Sequence, residues 1–188
     1  MARVLIAYST VDGHTLKICE RIAQRMRGDG HQVTLAEIGT AAPADVSRYD
    51  KTVVGASIRY GHHRKEVYSF IEAGLPLLRA QPTAFFSVNL VARKPGKTDP
   101  QGNAYLRGFL RRTQWVPTMV AAFAGKIEYA RYRLADRLMI QFIMWLTGGP
   151  THASAKVEFT DWAAVDEFAR RVSSLPLAPM AAGENIAP

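Results

Sequence analysis

Ser9-Thr10-Val11-Asp12-Gly13-His14-Thr15 follows the apolar run Val4-Leu5-Ile6-Ala7-Tyr8 and precedes a helical pattern that begins near Leu16. A strand, a hydroxyl-rich turn and a helix in that order form a seat for a phosphate. The turn offers backbone N–H groups, and the helix start adds unpaired donors and the positive end of its dipole. The hydroxyls of Ser9, Thr10 and Thr15 would add neutral donors, and Gly13 would let the backbone bend close to a ligand. The same residues also read as a plain strand-to-helix turn with Asp12 or Thr15 as the N-cap.

Working outward, residues 3–8 read as a buried strand and residues 15–27 as a helix. Leu16, Cys19, Ile22, Ala23 and Met26 share one face of that helix, and Gly28-Asp29-Gly30 ends it. Further strands are expected at 32–38, 51–57, 83–88 and 118–125, and helices at 64–74, after the polar loop from Asn89 to about 113, and at 161–174. Five strands alternating with helices imply an α/β, doubly wound parallel sheet covered on both faces. With the order 2-1-3-4-5, the ligand crevice opens between strands 1 and 3. The opening turn and the loop Ser57-Ile58-Arg59-Tyr60-Gly61-His62 then flank it, and the loop from Asn89 lies beside them. Residues 1–175 are expected as one domain and 176–188 as a flexible tail.

The 188 residues carry a formal charge of +8, which favours an anionic partner without choosing among nucleic acid, acidic lipid and small acids. The single cysteine, Cys19, makes no intramolecular disulfide. The N-terminal apolar run is too short for a signal peptide. The longest apolar run, residues 138–146 with Gln141 inside it, is far below the roughly 20 residues of a spanning helix. No Gly-x-Gly-x-x-Gly follows strand 1 and no P-loop occurs, so a mononucleotide fits better than a dinucleotide.

The connection between Gly125 and Lys156, about thirty residues, far exceeds the usual two to six. It reads as a partly helical insertion at 126–156 that interrupts strand 5, with a helix at 134–146 stopped by Gly148-Gly149-Pro150 and a return as an edge strand at 156–160. Tyr129, Tyr132 and Trp145 with Arg131, Arg133 and Arg137 make it basic, aromatic and apolar. That composition suits a membrane interface, a lid over a greasy planar substrate, or a buried or dimer-forming helix.

Four stretches resemble the flavodoxin-like, quinone-dependent protoporphyrinogen oxidases of bacteria. They are Ser9 to Thr15, Gly55-Ala56-Ser57-Ile58-Arg59-Tyr60-Gly61-His62, Phe86-Ser87-Val88-Asn89-Leu90-Val91-Ala92-Arg93-Lys94-Pro95, and residues 131–149. The resemblance implies bound FMN, oxidation of protoporphyrinogen IX to protoporphyrin IX in haem synthesis, and electrons passed to menaquinone or ubiquinone. It also implies peripheral attachment at the cytoplasmic face of the cell membrane. The residues it places around the cofactor are Ser9, Thr10, Asp12, Gly13, His14, Thr15, Ser57, Ile58, Arg59, Tyr60, Gly61, Ser87, Val88, Asn89, Leu90, Val91 and Gly125. Flavodoxin-like turns usually read Thr-x-Thr-Gly-x-Thr. Here Asp12 replaces the middle threonine, and its carboxylate is expected to turn away from the phosphate and cap the helix.

Substrate or membrane candidates are His62, His63, Arg93, Lys94, Arg131, Arg133, Arg137 and Trp145. Tyr60 could stack on a flavin, and the basic cluster Arg59-His62-His63-Arg64 at the same mouth could meet substrate carboxylates. Residues 93–112 carry six cations against Asp99, either a solvated face or a landing surface for anionic lipid or porphyrin propionates. The histidine pair has no acidic or cysteine partner nearby, so no metal site is expected. No catalytic base can be named, and a homo-oligomer stays open. Competing readings are a flavodoxin-like electron carrier, which the basic charge disfavours, a nicotinamide-dependent quinone reductase on the same fold, and a nucleic-acid binder for which no motif speaks.

Overall fold

Val4, Leu5, Ile6 and Ala7 are all buried, the signature of a strand covered on both faces. The computed structural model describes residues 1–129, 134, 138, 140, 141, 145, 152 and 156–177. In chain order the chief elements are β1 (Arg3–Ser9), α1 (His14–Gly28), β2 (Gln32–Glu37), β3 (Lys51–Arg59), β4 (His62–His63), α2 (Lys65–Arg79), β5 (Thr83–Val88), α3 (Ala104–Thr113), β6 (Met119–Phe123), β7 (Lys126–Glu128), β8 (Lys156–Glu158) and α4 (Trp162–Ser174). Short 3-10 turns lie at Pro43–Arg48 and Leu90–Arg93.

The main sheet runs β2-β1-β3-β5-β6, every neighbour parallel. With the two-residue β4 set aside as a hairpin on β3, this is the expected order 2-1-3-4-5. Alternate residues of each strand feed two cores. Leu5, Ala7, Val54 and Phe85 pack beneath α2 and α3, and Val4, Ile6, Val53 and Phe86 pack beneath α1 and α4. The ring of Phe86 lies over Gly55 of β3, where there is no room for a Cβ.

α2 departs from expectation by running through Gly74 and Pro76 to Arg79. Burial of Leu78 in the core outweighs the lost proline donor, whose partner carbonyl would belong to the exposed Glu72.

The insertion leaves directly after β6. Its return strand β8 is extended, as read, but it does not join the edge of the main sheet. It pairs antiparallel with β7 in a separate ribbon. Opposite charges face each other there, Lys126 across from Glu158 and Glu128 across from Lys156, and such cross-strand pairs favour this register. Leu134, Leu138, Ile140, Gln141 and Trp145 are helical, in line with the helix expected at 134–146. Ile140 packs towards Ile127 and Tyr129. Leu134, Leu138 and Trp145 are 77%, 67% and 69% exposed and share one stripe at helical spacing. Among the described residues, no helix is long and apolar enough to cross a membrane.

Candidate functional site

Gly13 sits at the N-cap of α1 with φ 76° and provides no side-chain cap, so the helix start is left open to an outside anion. The hydroxyls of Ser9, Thr10, Thr15 and Ser57 and the Nδ1 of His14 are buried without a hydrogen-bond partner among the described residues. Buried polar atoms are nearly always satisfied. Orphaned hydroxyls beside a helix N-terminus are donors awaiting a ligand, and those of Thr10, Thr15 and Ser57, which line one cavity, fit a phosphate monoester.

Asp12 behaves otherwise than expected. Its carboxylate accepts from the Arg59 guanidinium at 3.1 Å and does not cap the helix. The pair neutralises the acid and ties the turn after β1 to the end of β3. Arg64 adds a donor to the Thr10 carbonyl at 3.3 Å.

The turn opens into a crevice of about 480 Å³ at the carboxyl ends of β1, β3 and β5, the switch point of a doubly wound sheet. Thr10, Asp12, His14, Thr15, Ser57, Ile58, Arg59, Tyr60, Gly61, Val88, Asn89, Leu90, Val91 and Gly125 all line it, together with Arg93 and Lys94 from the substrate or membrane candidates. Tyr60 (φ 50°) and Gly61 (φ 81°) are the two central residues of the β3–β4 hairpin, a type I′ turn. A tyrosine held in left-handed backbone and 60% exposed carries strain of order 1 kcal/mol or more. It stands at the crevice rim with the Arg59 guanidinium over its ring.

Other candidates do not line it. Ser87 is fully buried behind the crevice wall. There its Oγ accepts from Asn89 Nδ2 at 3.1 Å and meets His63 Nε2 at 3.0 Å. His63 is likewise not at the mouth. The tight hairpin alternates the faces of β4, so His62 is exposed and His63 is buried against Phe85 and Phe109. Ser9 and Gly13 form the turn's frame behind the crevice surface. Trp145 is on the exposed stripe of the insertion, and Arg131, Arg133 and Arg137 lie outside the described residues. Val11, within the opening turn, and Lys126, directly after Gly125, also line the crevice, as do Tyr105 and Ile140, which carry no local signal of it.

The wall from Asn89 is held from behind. Asn89 Oδ1 accepts from Ala92 N–H at 3.0 Å and from Asn103 Nδ2 at 3.2 Å, and Asn103 Oδ1 caps α3. Ser87 Oγ, which accepts from Asn89, shares one further hydrogen bond with His63 Nε2 and so ties the buried imidazole to the back of the wall.

Burial, then the neighbouring His62, brings His63 down to about 4 from an ordinary 6.5. A neutral buried histidine stabilises the fold fully above pH 6.5 and loses that contribution as the pH falls towards 4, on the order of 3 kcal/mol in all. Urea midpoints should therefore drop between pH 7 and pH 4.5, and a His63→Phe variant should lose measurably less over the same window.

An open doubly wound sheet with an anion-ready turn at its switch point defines the flavodoxin class of α/β proteins. The chain belongs to the Flavodoxin domain family, which matches residues 5–154. It is 42% identical over 173 residues to the protoporphyrinogen IX dehydrogenase [quinone] of Escherichia coli K12, covering 92% of this chain and 96% of that one. It is 41% identical over 177 residues to the protein of the same name from Leishmania major, covering 94% and 77%. An archaeal flavodoxin structure superposes with a TM-score of 0.54 at 10% identity, covering 91% of this chain and 96% of that one, and so shares the fold.

Proposed function

We propose that the protein is an FMN-dependent oxidoreductase that converts protoporphyrinogen IX to protoporphyrin IX and passes the electrons to a membrane quinone. The observation that carries this reading is the end-to-end correspondence with a relative named for that reaction, in a chain whose crevice is lined by Thr10, Thr15 and Ser57 with unpartnered hydroxyls. FMN would supply the acceptor for a hydride equivalent and the donor to quinone.

The protein's part is binding and orientation. Thr10, Thr15 and Ser57 would hold the phosphate, with Ser9 framing the turn behind them, and Gly125 with the segment from Val88 to Val91 would wall the ring. Tyr60 offers an aromatic face at the rim. Arg93 and Lys94 line the crevice and also a neighbouring groove of about 690 Å³ along the free edge of β6, whose far wall carries Arg171. The acids of that groove are engaged elsewhere: Asp161 caps α4, and Glu167 pairs with Arg170. Cations at the boundary between the two cavities suit the carboxylates of a tetrapyrrole.

Purified protein with FMN bound should bleach when given protoporphyrinogen IX anaerobically and recover its colour with quinone. Retained colour under anaerobic substrate would remove the substrate assignment.

The exposed stripe Leu134, Leu138 and Trp145 on a chain of charge +8 supports peripheral contact with an anionic bilayer at the cytoplasmic face. Changing all three residues to serine should reduce co-sedimentation with anionic vesicles at least tenfold and leave FMN binding intact. Unchanged sedimentation would place membrane contact elsewhere on the surface.

A further inference from the structure

His14 is the second unusual feature of the anion turn. It is 93% buried by virtue of its 7% exposure, lines the crevice, and reaches across to the base of the insertion. Its Nε2 lies 2.7 Å from Thr160 Oγ1. Thr160 Oγ1 in turn donates to the Ala124 carbonyl at 2.8 Å. A carbonyl can only accept, so the one hydroxyl proton of Thr160 is used there, and Thr160 Oγ1 must accept from His14 Nε2–H. In neutral His14 the remaining nitrogen, Nδ1, is therefore a bare lone pair, buried and unpartnered.

Charge balance around the turn makes that lone pair consequential. Asp12 is paired with Arg59, Lys17 with Glu158, Lys126 with Glu128, and Arg64 with Glu66. The hydroxyls that line the turn are neutral. Among the described residues, a phosphate dianion entering here meets neutral donors and cations already paired with acids, with Arg93 and Lys94 on the wall from Asn89, and it meets a lone pair at Nδ1 that repels it. Resting on the FMN reading above, we propose that His14 takes up a proton when a phosphate-bearing flavin binds, so that Nδ1–H donates to a phosphate oxygen and the site selects FMN over riboflavin.

The groups facing His14 are Lys17 of α1, Lys126 of β7 and Glu158 of β8, with the Trp162 ring of α4 edge-on at 6.3 Å. Burial dominates in the free protein and holds His14 below the ordinary histidine value, against the pull of Glu158. The free protein therefore carries neutral His14 at pH 7 and above. A dianion against Nδ1 raises the value in the complex. Between the two values the complex holds a proton that the free protein lacks, so affinity falls as the pH rises, by up to tenfold per unit. Riboflavin brings no phosphate and no such dependence.

The test is calorimetric titration of the full chain with FMN and with riboflavin between pH 7 and 9, in buffers of different ionisation enthalpy. FMN binding should take up between half a proton and one proton near pH 7.5, and its Kd should rise with pH. Riboflavin, and FMN with a His14→Gln variant, should show neither effect. In the unmodified chain, the histidine Cε1–H resonances should include one whose titration midpoint moves upward by at least one unit when FMN binds. FMN binding with no proton uptake and no moved resonance would overturn the proposal and leave the FMN reading standing. Uptake that persists in His14→Gln would also overturn it. Failure of FMN to bind would remove both.

Discussion

A variant with valine at both Thr10 and Thr15 is expected to lose FMN affinity by two to three orders of magnitude while its riboflavin affinity stays within a few-fold of wild type. Each hydroxyl is buried and unpartnered in the protein alone, and each would donate to a dianionic phosphate. Hydrogen bonds to charged groups contribute about 1.5–3 kcal/mol each; towards the lower end of that range losing two costs about 3–4 kcal/mol, where 1.4 kcal/mol is tenfold.

The same substitution should raise the stability of the flavin-free protein by about 1 kcal/mol. Valine is nearly isosteric with threonine and removes a polar group that is desolvated without a partner. Opposite signs in one variant are the mark of residues kept for a ligand. Flavin fluorescence titrations and urea unfolding of the apoprotein read the two effects. Equal losses for FMN and riboflavin, or a destabilised apoprotein, would mean that these hydroxyls serve the fold.

Gly55→Ala is expected to cost about 3 kcal/mol of stability, at the upper end for inserting one methyl group into a packed core. The new Cβ would overlap Cζ, Cε1 and Cε2 of Phe86. That ring cannot swing aside, because Phe123 and Phe168 hold it at centroid distances of 5.5 and 5.9 Å. For a chain of this size the melting temperature should fall by roughly 10 °C. The strand end that Gly55 anchors carries Ser57 and the Tyr60 hairpin, so FMN affinity should fall as well. Trimming the obstacle with Phe86→Leu in the Gly55→Ala background should recover part of the loss, a non-additivity expected only of residues in contact. A melting temperature unchanged in Gly55→Ala would show that the core yields where the geometry says it cannot.

The turn at Gly13, the central strands and the crevice position were legible in the chain because each is a local pattern. An apolar run, a glycine and a hydroxyl cluster keep their meaning whatever packs around them. The fate of neighbouring residues depended on geometry that composition does not carry. His62 and His63 look alike in sequence, yet the direction of one two-residue turn sends the first to solvent and the second into an aromatic core. The helix is expected to end at Gly74, but α2 continues through Pro76 because the core has a place for Leu78. Residues 156–160 read as an edge strand of the main sheet, because nothing local tells a strand which partner it takes. Only the antiparallel juxtaposition of β7 and β8 shows that they form a ribbon of their own at the base of the insertion. Tyr105 and Ile140 reach the crevice from α3 and from the insertion, and nothing in their local sequence announces it.

The most direct test of the account is a crystal structure of the FMN complex. The phosphate oxygens should lie at about 2.7–3.2 Å from the hydroxyls of Thr10, Thr15 and Ser57, with the ring between Tyr60 and the segment from Val88 to Val91. A crevice left empty with FMN in excess, or a phosphate seated away from the turn at Gly13, would contradict it.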